Sequence, residues 1–162
     1  MVPHRFRLLL RMLDCRLPVP AGARNIVRAL SVILIATPIH YQAGDDCDYV
    51  TVKYNRNGDL KWVRRYNAPA GGPDVANAIA AANGMVYVTG FSTGAHTSGD
   101  YMTRAYGAGG GYKWADRHDG PASEFDQGNA VGISPVTGHV YVTGGSTSAD
   151  GGPDVATIKY AP

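Results

Sequence analysis

The side chains of this chain that could do chemistry are oxygen donors, histidines and aromatics in a few separate places. Asn55, Asn57 and Asp59 surround Gly58 in an order faintly like a calcium loop, which offers oxygens to a hard cation at alternating positions. The matching stretch 52 residues later, Gly107-Ala-Gly-Gly-Gly111, carries no side-chain ligand, so the first stretch reads as a hairpin turn. Asp74 and Asp126 each precede a run of small residues. A carboxylate there could act in general acid–base chemistry or cap turn amides, and its recurrence at equivalent positions favours the structural job. Asp116, His118 and Asp119 are neighbours in sequence, yet no HExxH, GxSxG or Cys/His ligand spacing accompanies them, and they read as a solvated strand end. His96 and His139 have no counterpart in the other copy. Trp62 and Trp114, with Tyr54, Tyr106, Tyr87 and Tyr141, offer faces on which a sugar or peptide could stack, but their regular places favour packing. No residue is therefore assigned a catalytic, cofactor-binding or metal-binding role, and no cofactor is expected.

What positions these residues is a repeat. Asp48-Tyr-Val-Thr-Val-Lys-Tyr54 returns as Asp100-Tyr-Met-Thr-Arg-Ala-Tyr106 and as Asp154-Val-Ala-Thr-Ile-Lys-Tyr160, at steps of 52 and 54 residues. Lys61-Trp62 recurs as Lys113-Trp114, Asn77-Ala78 as Asn129-Ala130, and Val86-Tyr-Val-Thr-Gly90 as Val140-Tyr-Val-Thr-Gly144. The extra length lies where Ala81-Ala-Asn-Gly84 becomes Ser134-Pro-Val-Thr-Gly138, which marks a surface turn.

Each unit predicts four short strands. Val50, Val52 and Tyr54 alternate with Tyr49, Thr51 and Lys53 in the period of a pleated strand. Asn55-Arg-Asn-Gly58 turns the chain into Leu60–Tyr66 to make a hairpin. The small, apolar run Val75–Ala82 suits a crowded innermost strand, and Asn83-Gly84 leads into Met85–Ser92. A Gly/Ser/Thr-rich loop, Thr93–Gly99, returns to the next copy.

Tandem four-stranded antiparallel units of this length are what β-propeller blades require, because radial packing buries each blade's faces against its neighbours. The spaced motifs Asp-Tyr-x-Thr-x-Lys-Tyr, Asn-Gly-Asp-x-x-Trp, Ala-x-Ala-Ile and Val-Tyr-Val-Thr-Gly-x-Ser-Thr resemble the SBBP-type (seven-bladed β-propeller) repeat of bacterial proteins. The resemblance runs from about Asp48 to Tyr160, roughly two to two and a half repeats. It implies propeller architecture and an envelope or extracellular setting, and it implies no reaction. The second copy departs from it at Arg104 and Ala105, and at His118 where the first has Tyr66. Arg104 stands where Val52 and Ile158 stand in its sisters, so a costly unpaired charge with a local register shift or exposed edge is expected there.

About nine strands are expected, two blades and a spare, whereas known propellers close with roughly four to eight blades. The fold expected is all-β, a partial propeller with an incomplete ring. Such a chain exposes edges, recruits further copies of itself, or is a piece of a longer product.

The net charge of +2 divides into +5 over residues 1–43 and −3 over residues 44–162. An acidic repeat region without a Lys/Arg cluster lacks the footprint of a nucleic-acid binder. Residues 1–43 read as a signal-like leader: Arg24 and Arg28 precede an apolar run, Ala29–Ile39, too short to span a bilayer as a helix, with a weak cleavage site at Tyr41-Gln-Ala43. Residues 44–162 are the repeat region, with units starting near 48, 100 and 154. Cys15 would leave with the leader, and Cys47 reads as an incidental thiol. The function expected is a noncatalytic secreted or cell-envelope scaffold that meets a protein or glycan partner. A glycan-binding propeller is the alternative, and a hydrolase or lyase with channel-facing Asp residues is the third reading.

Overall fold

The computed structural model describes residues 31–36 as backbone, and residues 47–55 and 57–162 in full. These residues form ten strands and no helix: β1 (Ser31–Ala36), β2 (Tyr49–Asn55), β3 (Leu60–Tyr66), β4 (Asp74–Ala82), β5 (Met85–Thr93), β6 (Gly99–Gly107), β7 (Tyr112–His118), β8 (Gln127–Ile133), β9 (Val140–Thr147) and β10 (Pro153–Tyr160). The nine strands expected from sequence are β2 to β10, within a residue or two at their ends. All pair antiparallel, in three separate open sheets ordered β1-β2-β3, β4-β5-β6-β7 and β10-β9-β8.

The three sheets repeat one register. Val32, Val86 and Val140, spaced 54 residues apart, lie opposite Tyr54, Tyr106 and Tyr160. Strand β1 thus holds the place in the first sheet that β5 and β9 hold in theirs. It falls inside the stretch expected to be a leader. The bulges repeat as well: pairing shifts between Lys53 and Tyr54 and again between Ala105 and Tyr106, and between Ala76 and Ala78 as between Gly128 and Ala130. Opposite the second pair of bulges stand Gly90 and Gly144. A Cβ at Gly90 would lie 1.9 Å from the Val75 carbonyl oxygen, and one at Gly144 would lie 2.0 Å from that of Gln127, so neither position admits a side chain. The hairpin turn at Asn83-Gly84 takes positive φ at both residues, as its sequence predicts.

Alternation decides which faces are buried. On β6, Met102 and Tyr106 join Tyr49, Trp62, Ala76, Val86 and Val88 in the core between the first and second sheets. Tyr101 and Ala105 point the other way and join Tyr87, Val140 and Val142 between the second and third. Both faces of the four-stranded sheet are therefore covered. The far side of the third sheet is open, with Val155 72% and Tyr141 41% exposed. Sheet joins to sheet through equivalent bonds: Tyr49 donates its hydroxyl to the Met102 carbonyl at 2.9 Å, and Tyr101 to the Ala156 carbonyl at 3.2 Å. Trp62 packs on Tyr106 with ring centroids 6.1 Å apart, as Trp114 packs on Tyr160 at 5.0 Å.

Candidate functional site

Among the described residues, one end of the second sheet brings together two buried carboxylates, Asp100 and Asp126, and an arginine. Asp100 is the second residue of β6, Arg117 lies near the end of β7, and the connection from β7 to β8 brings in Asp119 and Asp126. The loop is held by its own polar groups. Asp126 donates its amide to the Gly99 carbonyl at 2.6 Å, while its carboxylate accepts the Gly120 amide at 2.7 Å and the Thr147 amide at 2.9 Å. Asp74 repeats the pattern one unit earlier, its amide reaching the Cys47 carbonyl at 2.6 Å and its Oδ2 accepting the Ala68 amide at 2.6 Å. A fully buried aspartate whose carboxylate closes a six-residue loop and whose amide ties that loop to the chain entering β6 or β2 is a structural clamp, which is the job recurrence suggested for these two residues.

Asp100 is buried and ion-paired. Its Oδ2 accepts from Arg117 Nη1 at 2.6 Å and from the Thr97 hydroxyl at 2.9 Å, whereas its Oδ1 has no hydrogen-bond partner. Arg117 also donates to the Ser92 carbonyl at 2.7 Å and to the Ser92 hydroxyl at 2.6 Å. Burial pulls the Arg117 guanidinium down, but hydrogen bonding and charge from Asp100 and Tyr66 together outweigh this and hold it above its ordinary value. A carboxylate oxygen from each of Asp100, Asp119 and Asp126 lies within 4.8 Å of the others. Asp119 is the exposed member and accepts the Ser123 hydroxyl at 3.1 Å. Burial pushes the Tyr101 hydroxyl beside this group up to about 12, with the Asp126 charge adding to the effect.

The other chemically suggestive residues disperse. Asn55 Oδ1 accepts the amides of Asn57 and Asp59, and its Nδ2 donates to Asp59 Oδ2, so the calcium-like stretch satisfies itself as a turn. Asp116 accepts the Tyr160 hydroxyl at 3.0 Å, and His118 meets Tyr101 edge to face at 5.8 Å, so only Asp119 of that sequence trio reaches the acidic group. Trp62 is buried and donates Nε1–H to the Ala108 carbonyl at 3.0 Å; Trp114 is only partly buried, between Tyr87 and Tyr160.

Arg104 corrects the expectation of an unpaired charge. Its guanidinium carbon sits 3.9 Å from the centroid of Tyr66 and 5.2 Å from that of Tyr112, and Nε donates to the Tyr106 hydroxyl at 3.0 Å. The register shift beside it is no fault of the charge, since the same shift occurs next to Val52 in the first sheet.

Sequence reasoning missed Asp100 and Arg117, using the Asp-Tyr start only as a landmark of the period. The signal was present: Asp48 and Arg65 precede them by the same 52 residues. No family model and no curated protein matches the chain.

Proposed function

We propose that this chain is a run of β-propeller blades of the kind its repeat resembles, and that it acts as a noncatalytic interaction scaffold, secreted or in the cell envelope. One observation carries the reading: the side chains that recur with the period bond sheet to sheet or loop to strand. Tyr49 and Tyr101 tie neighbouring sheets, and Asp74 and Asp126 clamp equivalent loops. The acidic balance of residues 44–162 supports a protein or glycan partner over nucleic acid. The open face of the third sheet is where a further blade, from more of the same chain or from another copy, would stack.

A catalytic reading through Asp74 and Asp126 would need carboxylates that face a substrate, and both are fully buried. A glycan platform built on Trp62 would need an open indole face, and that indole lies in the core. The test is a panel of polysaccharide, peptide and ester substrates, with a glycan array alongside, offered to the full chain and to Asp126→Asn. The scaffold reading expects no turnover from either protein and a lower melting temperature for the variant. Turnover lost in Asp126→Asn at an unchanged melting temperature would replace it with an enzyme.

A further inference from the structure

The acidic group at the end of the second sheet has a charge that its protein partners leave unbalanced. Three carboxylates approach within 4.8 Å, two of them buried, and among the described residues the ion pair made there is the one between Asp100 and Arg117. That leaves two negative charges in a largely enclosed place, which is the charge a divalent cation would neutralise. Geometry agrees. Oxygens around one Ca²⁺ lie about 2.3–2.6 Å from it, so ligands on its opposite sides are roughly 4.6–5.2 Å apart and adjacent ones closer.

The oxygen that asks for such a partner is Asp100 Oδ1. Asp100 is 1% exposed, its other oxygen is turned to Arg117 and Thr97, and Oδ1 receives no hydrogen bond. A buried carboxylate oxygen without a donor is costly, and a hard cation removes that cost. The amides of Gly120 and Thr147 occupy one lone pair on each Asp126 oxygen, and an ionised carboxylate has further acceptor sites on both. Asp119 contributes the exposed carboxylate through which an ion would enter. The set is all oxygen, which selects hard cations over zinc or copper. The sister unit has Asn67 where this one has Asp119, so the first copy lacks the third charge.

We propose that Asp100, Asp119 and Asp126 form a Ca²⁺ site that locks the β7–β8 loop to the start of β6. The proposal does not depend on whether the sheets are propeller blades. It is tested with CaCl₂ alone on the full chain after chelation, by calorimetric titration and by thermal melting. One ion per chain is expected to bind, with a Kd on the order of 10⁻⁴ M for a three-carboxylate site that water completes on the Asp119 side, and to raise the melting temperature. Asp119→Asn, at the exposed position and copying Asn67, should melt like the parent without calcium and bind the ion at least tenfold more weakly. Asp59→Asn, in the distant hairpin turn, should leave binding unchanged. Absence of saturable binding at 5 mM CaCl₂, about fifty times that Kd, would overturn the site. So would binding that Asp119→Asn leaves intact.

Discussion

Trp62→Ala is the sharpest test of how the sheets are held together. The indole is 7% exposed, packs on Tyr106 across the sheet boundary, and lies against the Gly110 backbone, where even an added methyl carbon would come within 2.7 Å of its ring. It also donates to the Ala108 carbonyl. Removing a buried Trp side chain costs about 3–5 kcal/mol, and the hydrogen bond alone about 1 kcal/mol. With a urea dependence of about 2 kcal/mol/M, the unfolding midpoint of Trp62→Ala should fall by about 2 M. Trp62→Phe keeps most of the ring and loses the bond, so it should fall by about 0.5–1 M. Trp114→Ala, at a partly exposed ring, should cost about half as much as Trp62→Ala. Chemical denaturation followed by tyrosine fluorescence and by far-UV dichroism gives all three numbers. A Trp62→Ala protein that unfolds with the parent, or a Trp114→Ala loss equal to or greater than that of Trp62→Ala, would refute the packing argument.

The remaining predictions use the same assay. Arg104→Val should destabilise by about 1–2 kcal/mol, because it removes the stack on Tyr66 and the bond to Tyr106; a gain in stability would restore the idea of an unpaired charge. Gly90→Ala and Gly144→Ala should each cost about 3 kcal/mol, since both drive a methyl into a facing carbonyl, and a neutral effect at either would show that the bulge relaxes. Burial holds Tyr101 and Tyr160 at about 12 against an ordinary value of 10.0, so the fold favours their neutral forms. Their contribution is complete below pH 10 and is lost as pH rises towards 12, and Tyr101→Phe should flatten that alkaline loss in a pH series of melts. Removing residues 1–43 takes away β1 and uncovers one edge of β2. The shortened protein should therefore melt lower or associate, whereas an unchanged monomeric melt would show that the first sheet does not need β1.

Much of the strand pattern was legible because it rests on local signals. Period-two alternation in Tyr49–Tyr54, the Asn83-Gly84 turn and the exact return of Val-Tyr-Val-Thr-Gly fix strand and turn positions without any distant contact. Strand β1 was not legible as a strand. Its run of Val, Ile and Leu lacks the polar alternation of its sisters, and a short uniformly apolar segment that follows arginines also fits an export signal. Only its pairing with β2, in the register of β5 with β6, distinguishes it. Arg104 was misjudged because its partners, Tyr66 and Tyr112, come from separate strands that a one-dimensional comparison of repeats does not bring together. The acidic group was half legible. Asp126 and Asp119 stood out by type, but Asp100 joins them through the fold of the β7–β8 connection, about twenty residues away in sequence. Val155 shows the limit in the other direction. It occupies the position of Tyr49 and Tyr101, whose hydroxyls tie each sheet to the next, and it has no hydroxyl to offer.

The central claim is that the sheets are equivalent units stacking as propeller blades, and adding units tests it most directly. Copies of residues 109–162, one full period, would be appended in tandem after Pro162, each ending in a sheet like the third, and the melting temperature followed as copies are added. Stacking into a ring predicts small gains per copy until the total reaches a closing number between about four and eight sheets, and there an abrupt rise with a compact, monomeric scattering profile. A melting temperature that climbs smoothly with every copy, together with a molecule that only grows longer, would contradict the account and show an open linear stack instead.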